Sequence, residues 1–356
     1  MAELNDIPAM KALDSVNVLG SIEQFGDQCK EAWDDAGKII FPDKYHQVTS
    51  IVFSGMGGSA LGAYVMRSLF FDEIKMPFEI FNGYRLPPYA NEKTLAILGS
   101  YSGTTEETLS CAQEAVEKKT CLTGLTIGGK LGEILNSAGA PYYKIVPTYN
   151  PSNQPRLGTG YSIFGQIAVF NALGILSVSK SEVDLVYFVL KEGNKRYGIN
   201  VSINENPAKQ LALELKDNIP IIVTGEFLGA VGRIMRNQIH ETAKNFADYH
   251  NIPELNHHLM EGLAHPSSNT QKFFFIFLVS NLYSPRIIKR FAITREVVLR
   301  QGMKVKEFMP TSSTKISQVL ECIQFGAYVN YYMAMLYDLD PSKIPWVDFF
   351  KTELEK

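Results

Sequence analysis

From residue 49 onwards the chain alternates short apolar runs with longer stretches of helical character. The runs SIVFSG, FEIFNG, TLAILGS and GLTIGG are separated by predicted helices at residues 59–71 and 106–118. Continuous apolar runs are typical of strands buried on both faces, and strands that alternate with helices form parallel sheets. The alternation therefore predicts a parallel sheet with helices on both of its faces.

The same pattern starts a second time near residue 219. The segment IPIIVTGEFLGAVGRIM echoes TSIVFSGMGGSALGAYVM in its apolar strand and in the small residues that turn into a helix. The runs KFFFIFLV and GMKVKEFM supply further strands, and residues 312–336 are predicted to form a long amphipathic helix. The echo indicates an internal duplication. The predicted fold is α/β, with two doubly wound, flavodoxin-like parallel-sheet lobes in tandem.

The length of the chain agrees with two lobes, because 356 residues exceed what one compact core usually organises. The predicted division is an N-terminal helical segment at residues 1–40, a first domain at 41–190 and a second domain at 191–356. No low-complexity or Pro-rich linker marks the joint. The lobes are therefore expected to pack closely and to share a cleft.

Composition narrows the class of partner. With 34 basic and 37 acidic side chains the net charge is only −3, which argues against nucleic acid or an acidic membrane surface. The longest apolar run, at residues 273–279, is far shorter than the roughly 20 residues of a membrane helix. The N-terminus lacks a signal-peptide pattern, and the four widely spaced cysteines are typical of buried thiols in a reducing compartment. A cytoplasmic protein with a small-molecule partner is expected.

Two loops rich in Gly, Ser and Thr directly follow apolar runs, in SIVFSGMGGSALG and in GSYSGTTEETLS. Each precedes a helix, whose positive N-terminal end and free backbone N–H groups attract an anion. A capping box at Thr104 or Thr105 explains one hydroxyl of the second loop but not all of them. The residues expected to bind a phosphate group are Gly57, Gly58, Ser59, Ser100, Ser102 and Thr105.

The first loop also fits a dinucleotide-binding pattern, GxGxxA, through Gly55, Gly57 and Ala60. A nucleotide site of that kind places an acidic residue at the end of the next strand, where it binds the ribose. Here the next run ends in Asn82 and Gly83, which favours phosphate binding over dinucleotide binding.

The motif GMGGS, followed some forty residues later by SYSGTTEET, is similar to the sugar isomerase (SIS) fold family. In that family the serines and threonines of these two loops bind the phosphate of a sugar phosphate. The stretches NQPRLGTGYS, NQIHETAK and PELNHH, in that order, resemble the bifunctional phosphoglucose/phosphomannose isomerases of archaea and bacteria. The resemblance spans roughly residues 45–355 and implies two SIS-type lobes that act without a metal or other cofactor.

A candidate general base lies in the segment that carries five of the six histidines. Glu241 falls at the edge of a predicted helix face formed by Val231, Met235, Ile239 and Ala243, where partial burial would raise the pKa of a carboxyl group. Edge carboxylates are also commonly only solvated. The resemblance implies that Glu241 is the base, because the glutamate of the family's ENAK-like motif has that role.

The resemblance implies roles for three further residues that, by themselves, would be expected in solvent. His257 would open the sugar ring, Arg156 would stabilise the enediolate, and Lys351 would approach the substrate from the last helix. In the family the histidine is lent across a dimer interface, which implies a homodimer with shared active sites. His258 stands where the family has Asn, so it stays open which of the two imidazoles acts.

The predicted function is the metal-free interconversion of glucose 6-phosphate, and of mannose 6-phosphate, with fructose 6-phosphate. Acceptance of mannose 6-phosphate stays open, because it depends on the shape of the pocket around C2. A non-catalytic sugar-phosphate sensor is the alternative, and it would need the loops without the base and the histidine. A metal site at His257, His258 and His265 lacks helical ligand spacing, so no metal is expected.

Overall fold

The computed structural model of the protein describes residues 4–354 and residue 356. Residues 1–3 of the predicted N-terminal helical segment and residue 355 of the predicted second domain lie outside the described part. Three helices precede the first strand: α1 (Ile7–Leu13), α2 (Val18–Glu23) and α3 (Phe25–Ala36).

The first sheet has five strands: β1 (Ser50–Gly55), β2 (Phe78–Phe81), β3 (Thr94–Gly99), β4 (Cys121–Thr126) and β5 (Tyr143–Lys144). Their order is β2-β1-β3-β4-β5, and all neighbouring pairs are parallel. β3 and β4 are buried along their whole length, which explains their unbroken, largely apolar sequences. The four predicted strands are confirmed, whereas the two-residue β5 was not predicted.

Helices cover both faces of this sheet: α4 (Gly57–Leu69), α5 (Glu106–Glu117), α6 (Gly129–Ser137) and α7 (Thr159–Ala172). α3 and α4 pack against α7, whereas α5 packs against α6. The side chains of β1 alternate accordingly, with Ile51 and Phe53 in one apolar cluster and Val52 in the other. The helix predicted at residues 59–71 begins two residues earlier, so the glycines of the first loop lie in its first turn.

The second sheet has four strands: β6 (Ile219–Gly225), β7 (Asp248–Ile252), β8 (Phe273–Leu278) and β9 (Lys304–Phe308). Its order, β7-β6-β8-β9, repeats that of the first four strands, and all pairs are parallel. The predicted α/β fold with two doubly wound sheets in tandem is confirmed. In each sheet the strand order reverses once, between β1 and β3 and between β6 and β8, and such switch points are where doubly wound folds bind ligands.

The remaining helices are α8 (Lys180–Tyr197), α9 (Pro207–Leu215), α10 (Gly229–Gln238), α11 (Leu259–Gly262), α12 (Asn269–Lys272), α13 (Pro285–Arg300), α14 (Lys315–Leu336) and α15 (Pro345–Leu354). α8 runs through residue 190, the predicted boundary, and packs against both α3 and α14. The division into domains at that residue stays a prediction.

The switch point of the second sheet is occupied by a side chain of the protein itself. Glu226, the first residue after β6, has a φ of 41°. Its carboxylate accepts hydrogen bonds from the backbone N–H of Ser284 at 3.0 Å and from the Ser284 hydroxyl at 2.6 Å. Ser284 is the residue that precedes α13, so a carboxylate lies at the positive end of that helix.

The long helix α14 is central rather than amphipathic. Every residue from Ile316 to Leu336 is buried, and the helix packs against α8, α9 and α10. Its polar side chains are buried because they find partners: Gln324 Nε2 donates to Leu190 O and Asn194 Oδ1. The prediction of a solvent-facing side is therefore wrong, since both halves of the chain cover this helix.

A buried lysine fixes the segment that leads into α9. The Lys209 side chain is 1% exposed, and its ammonium group donates to Ile199 O and Val201 O, both at 2.8 Å. It also lies 5.5 Å from the centre of the Tyr332 ring on α14. No carboxylate in the described part of the chain bonds to this ammonium group, so the two carbonyls and the ring offset its loss of hydration.

We expect Lys209→Met to lower the free energy of unfolding by about 2 kcal/mol or more, because it leaves two buried carbonyls without a charged donor. Urea denaturation followed by circular dichroism measures this change. The matched control is Lys306→Met, which removes an exposed ion pair with Glu214 and should cost less than about 1 kcal/mol. Equal denaturation midpoints for the two variants would contradict the assignment.

Candidate active site

The two loops predicted to bind phosphate lie side by side at the switch point of the first sheet. β1 and β3 are neighbours, and Gly55 pairs with Gly99 at their carboxyl ends. The loops that follow therefore leave the sheet at the same edge. They touch each other, since the backbone N–H of Tyr101 donates to Ser59 Oγ at 2.9 Å. The two loops thus converge, as binding of one phosphate group by both of them requires.

Hydroxyl groups of the second loop bond to one another rather than to the helix. Ser100 is fully buried, and its Oγ lies 2.8 Å from Thr105 Oγ1 and accepts from the backbone N–H of Gly103 at 3.1 Å. Ser102 is exposed, with its Oγ 2.9 Å from Thr104 Oγ1. The predicted capping box is absent: Thr105 precedes α5, but no described side chain caps this helix.

The first loop also ends in an uncapped helix. Among residues 4–354 no side chain caps α4, which begins at Gly57. The first N–H groups of a helix need partners from outside the helix, and a negative charge is stabilised there. Two uncapped helices, α4 and α5, thus begin at one edge of the sheet, which makes this edge suited to a phosphate group.

Gly58 brings the first loop against the segment that contains Arg156. A side-chain carbon at position 58 would lie 2.8 Å from the backbone nitrogen of Arg156 and 2.9 Å from the carbonyl carbon of Pro155. Such distances are too short for non-bonded atoms, so only glycine permits this approach. The glycine predicted to bind phosphate is therefore also needed to pack the site.

Arg156 is fully buried, with 1% of its surface exposed, in a 3-10 turn formed by Pro155–Leu157. Its Nη1 donates to Gln154 Oε1 at 2.9 Å, and its Nη2 donates to Pro341 O at 2.9 Å and to Ser342 O at 3.1 Å. Its Nε donates to Thr242 Oγ1 at 3.3 Å. These bonds hold the planar guanidinium group in one orientation.

Glu241 faces this guanidinium group, with its Oε2 at 3.6 Å from Arg156 Nη1. The α-helix ends at Gln238, and residues Ile239–Ala243 form a single π-helical turn, a feature frequent at functional sites. The predicted position on an α-helical face is therefore wrong beyond Gln238, although the predicted partial burial is confirmed, with the side chain 31% exposed.

Burial raises the pKa of the Glu241 carboxyl group, because a buried charge loses its hydration. The positive charges of Arg156, His240, Lys351 and Lys244 lower that pKa and so partly offset the effect of burial. The net direction is upward from 4.5, towards the range in which a carboxylate serves as a general base. Lys351, on the exposed helix α15, is one of these charges, so it lies within electrostatic reach of Glu241.

No contact between His257 and Glu241 is found within the described part of one chain. Glu241 precedes β7, and His257 ends a 3-10 turn that follows β7. The charged groups that act on the Glu241 carboxyl group are Arg156, His240, Lys351 and Lys244, and His257 is not among them. The structure therefore brings Arg156, Glu241 and the charge of Lys351 together, and it does not bring His257 to them.

The two candidate imidazoles differ in their surroundings. His258 Nε2 lies 2.8 Å from Glu254 Oε2, and its ring packs 5.9 Å from that of His250. His257 is exposed, and no described residue forms a hydrogen bond with its ring.

Within residues 4–354 no group of three or more His, Cys, Asp or Glu side chains is arranged to hold a metal ion. None of the described helices is long and apolar enough to span a membrane.

Two parts of this site were not identified from the sequence. The loop between α14 and α15 supplies the carbonyls that hold Arg156, and Lys244 donates to the same loop through a bond from its Nζ to Asp340 O at 2.7 Å. The segment DLDPSK is rich in turn-forming residues and so predicts a loop. Backbone carbonyls carry no side-chain signal, so nothing in the sequence connects this loop with Arg156.

Comparisons with known proteins agree on one family. Residues 204–354 match the family described as the bacterial phospho-glucose isomerase C-terminal SIS domain. A solved structure from Thermus thermophilus, described as a hypothetical protein, matches with a TM-score of 0.75 and 15% identity, covering 98% of this chain and 93% of that one. At this identity the likeness shows the fold alone.

Two curated relatives carry the same name, bifunctional phosphoglucose/phosphomannose isomerase. The protein from Aquifex aeolicus is 26% identical over 94% of this chain and 97% of its own length. The protein from Caldicellulosiruptor bescii is 30% identical over 337 residues, which cover 94% of this chain and 98% of that one. Because the match extends over almost the whole of both chains, this chain belongs to the family of bifunctional phosphoglucose/phosphomannose isomerases.

Proposed function

We propose that the protein interconverts glucose 6-phosphate and mannose 6-phosphate with fructose 6-phosphate, and that it does so without a metal or other cofactor. The observation that carries the proposal is the pairing of Glu241 with the buried Arg156, 3.6 Å apart, next to two uncapped helices. A base, a fixed cation and an anion site are what an aldose–ketose isomerisation through an enediolate requires.

The proposed phosphate site uses the backbone of Gly57 and Gly58 and four hydroxyl groups. The hydroxyl donors are those of Ser59, Ser100, Ser102 and Thr105. Because both helices begin at this edge, their combined positive ends stabilise the charge of the phosphate. Binding at the phosphate would then place the other end of the open-chain sugar near Glu241 and Arg156.

In the proposed chemistry the Glu241 carboxylate removes the proton from C2 of the aldose. The electron pair of that C–H bond forms the C1–C2 double bond, and the negative charge moves to O1, beside the Arg156 guanidinium group. Glu241 then returns the proton to C1 while the hydroxyl proton of O2 moves to O1, which gives the ketose. Lys351 contributes positive charge to the same region.

We further propose that the active form is a homodimer in which His257 acts at the site of the partner subunit. The exposure of His257 supports this, because an exposed imidazole to which no described residue bonds is available to a neighbouring subunit. The large side chains of α15 also support it: Trp346 is 82% exposed, Phe349 58% and Phe350 62%. Apolar patches of this kind mark interaction surfaces.

The cellular location belongs to the same proposal. All four cysteines, Cys29, Cys111, Cys121 and Cys322, are buried and free, as predicted. Free thiols persist in reducing compartments, which supports a cytoplasmic enzyme.

The direct test is turnover by purified protein after treatment with EDTA, with glucose 6-phosphate and mannose 6-phosphate supplied separately and fructose 6-phosphate measured. We expect both sugars to react and both rates to be insensitive to EDTA. Turnover of one sugar only would restrict the substrate range. Binding of either sugar without turnover would overturn the proposal in favour of a sugar-phosphate sensor.

We expect Glu241→Gln to lower kcat by about 10²- to 10⁴-fold while sugar-phosphate binding, measured by calorimetry, is retained. In the wild type the active form is the carboxylate, so kcat should rise with pH through a midpoint above 4.5, and this limb should vanish in the variant. A variant with wild-type kcat would show that Glu241 is not the base.

Subunit mixing tests the shared site. Glu241→Gln and His257→Ala homodimers should each be nearly inactive. After equal mixing and subunit exchange, half of the dimers are mixed and each has one intact site, so about one quarter of wild-type activity should return. No recovery would place both residues in one subunit. A parallel series with His258→Ala identifies which imidazole acts.

A further inference from the structure

The loop between α14 and α15 receives two positively charged side chains from different parts of the chain. Arg156 Nη2 donates to Pro341 O and Ser342 O. Lys244 Nζ donates to Asp340 O, the carbonyl directly before them, at 2.7 Å. Three consecutive carbonyls thus bind the guanidinium group of Arg156 and the ammonium group of Lys244.

The same ammonium group also bonds to the turn that carries Glu241. Lys244 Nζ donates to Thr242 O at 3.1 Å, one residue after Glu241. Lys244 has a φ of 52°, and its backbone N–H donates to Ile239 O, so the chain reverses here and the π-helical turn ends. The side chain therefore links the turn to the loop.

The loop is itself held in place. Asp340 accepts a hydrogen bond from Ser15 Oγ at 2.6 Å through Oδ2, and from the backbone N–H and the hydroxyl of Ser342 through Oδ1 at 2.8 and 2.7 Å. A bond from Lys244 to this loop therefore ties the turn to a fixed point rather than to a mobile one.

We propose that Lys244 is a positioning residue, which holds the turn of Glu241 against the loop that holds Arg156 and so sets the carboxylate–guanidinium geometry. The proposal rests on the proposed isomerase function and adds a residue to it. Lys244 touches neither the reacting atoms nor the phosphate loops in this arrangement. It acts through the backbone on each side of the pair, and its charge also lowers the pKa of the Glu241 carboxyl group.

Electrostatics adds a pH dependence to this role. Burial, together with the charge of Arg156, lowers the pKa of Lys244 to about 8, although Asp340 and Glu241 raise it in part. Among the described residues, the charged groups that act on this ammonium group are Arg156 of the 3-10 turn, Asp340 of the loop and Glu241 of the π-helical turn. The ammonium form exists below this pKa, so the tie is complete near neutral pH and is lost as the pH rises through about 8.

The variant Lys244→Met keeps an unbranched side chain and removes the charge and both bonds. We expect kcat to fall by about 10- to 100-fold, with KM changed by less than about threefold, because the carboxylate is displaced without loss of the phosphate site. Lys119→Met is the matched control, because Lys119 is an exposed lysine whose φ is 56°. It should retain wild-type kinetics.

The variant Lys244→Arg separates charge from side-chain identity. The guanidinium group does not titrate in the accessible range, so kcat at pH 7 should stay within about fivefold of the wild type. The fall of wild-type kcat through about pH 8 should be missing from the Lys244→Arg variant. An unchanged alkaline limb in this variant, or wild-type kcat in Lys244→Met, would overturn the proposal.

Hydrogen exchange followed by mass spectrometry tests the tie without reference to turnover. In Lys244→Met, protection of residues 239–245 and 338–343 should fall at pH 7, whereas Lys119→Met should leave it unchanged. Unchanged protection in Lys244→Met would reject the positioning role even in an active enzyme. If the wild type turns over neither sugar while Lys244→Met still loses protection, the proposed function is rejected and the link made by Lys244 is retained.

Discussion

The site depends on the burial of one guanidinium group. A charge removed from water is costly unless its hydrogen-bonding groups are satisfied and an opposite charge is near. Arg156 meets both conditions, with bonds to Gln154, Pro341 and Ser342 and with the Glu241 carboxylate at 3.6 Å. Its partners come from the loop that contains it, from the α14–α15 loop and from the turn after α10. Three distant segments of the chain must therefore be in place together, and the two halves of the protein become one unit.

Much of the fold was predictable because its determinants are local. Apolar runs, turn residues and their repetition indicate strands, helices and a duplication, and the two phosphate loops follow from residues adjacent to β1 and β3. The elements that were missed depend on contacts between distant segments. α14 looks amphipathic, because its sequence does not show that Gln324 will bond to residues of α8. The π-helical turn at Ile239–Ala243 likewise ends α10 where periodicity would continue it.

The candidate site likewise has parts that the sequence predicted and parts that it did not. Glu241 and Arg156 were named from short motifs, and the structure brings them together. Motifs do not reveal why Arg156 is buried, because the groups that hold it include the carbonyls of Pro341 and Ser342. Lys244 escaped notice for a related reason: its bonds are also to carbonyls, and its left-handed conformation is unusual for a lysine. Sequence identifies the side chains of a site more readily than the backbone that positions them.

The carboxylate of Glu226 makes the switch points of the two sheets differ in their electrostatics. In the first sheet the switch point presents two open helix ends, whereas in the second the corresponding end of α13 is already neutralised from within the chain. A tethered acid has a very high effective concentration and excludes a free anion of similar charge. The positive end of α13 is therefore already paired with an anionic side chain of the same chain. In the proposed homodimer the same half supplies Glu241 to its own site and His257 to the site of the partner subunit.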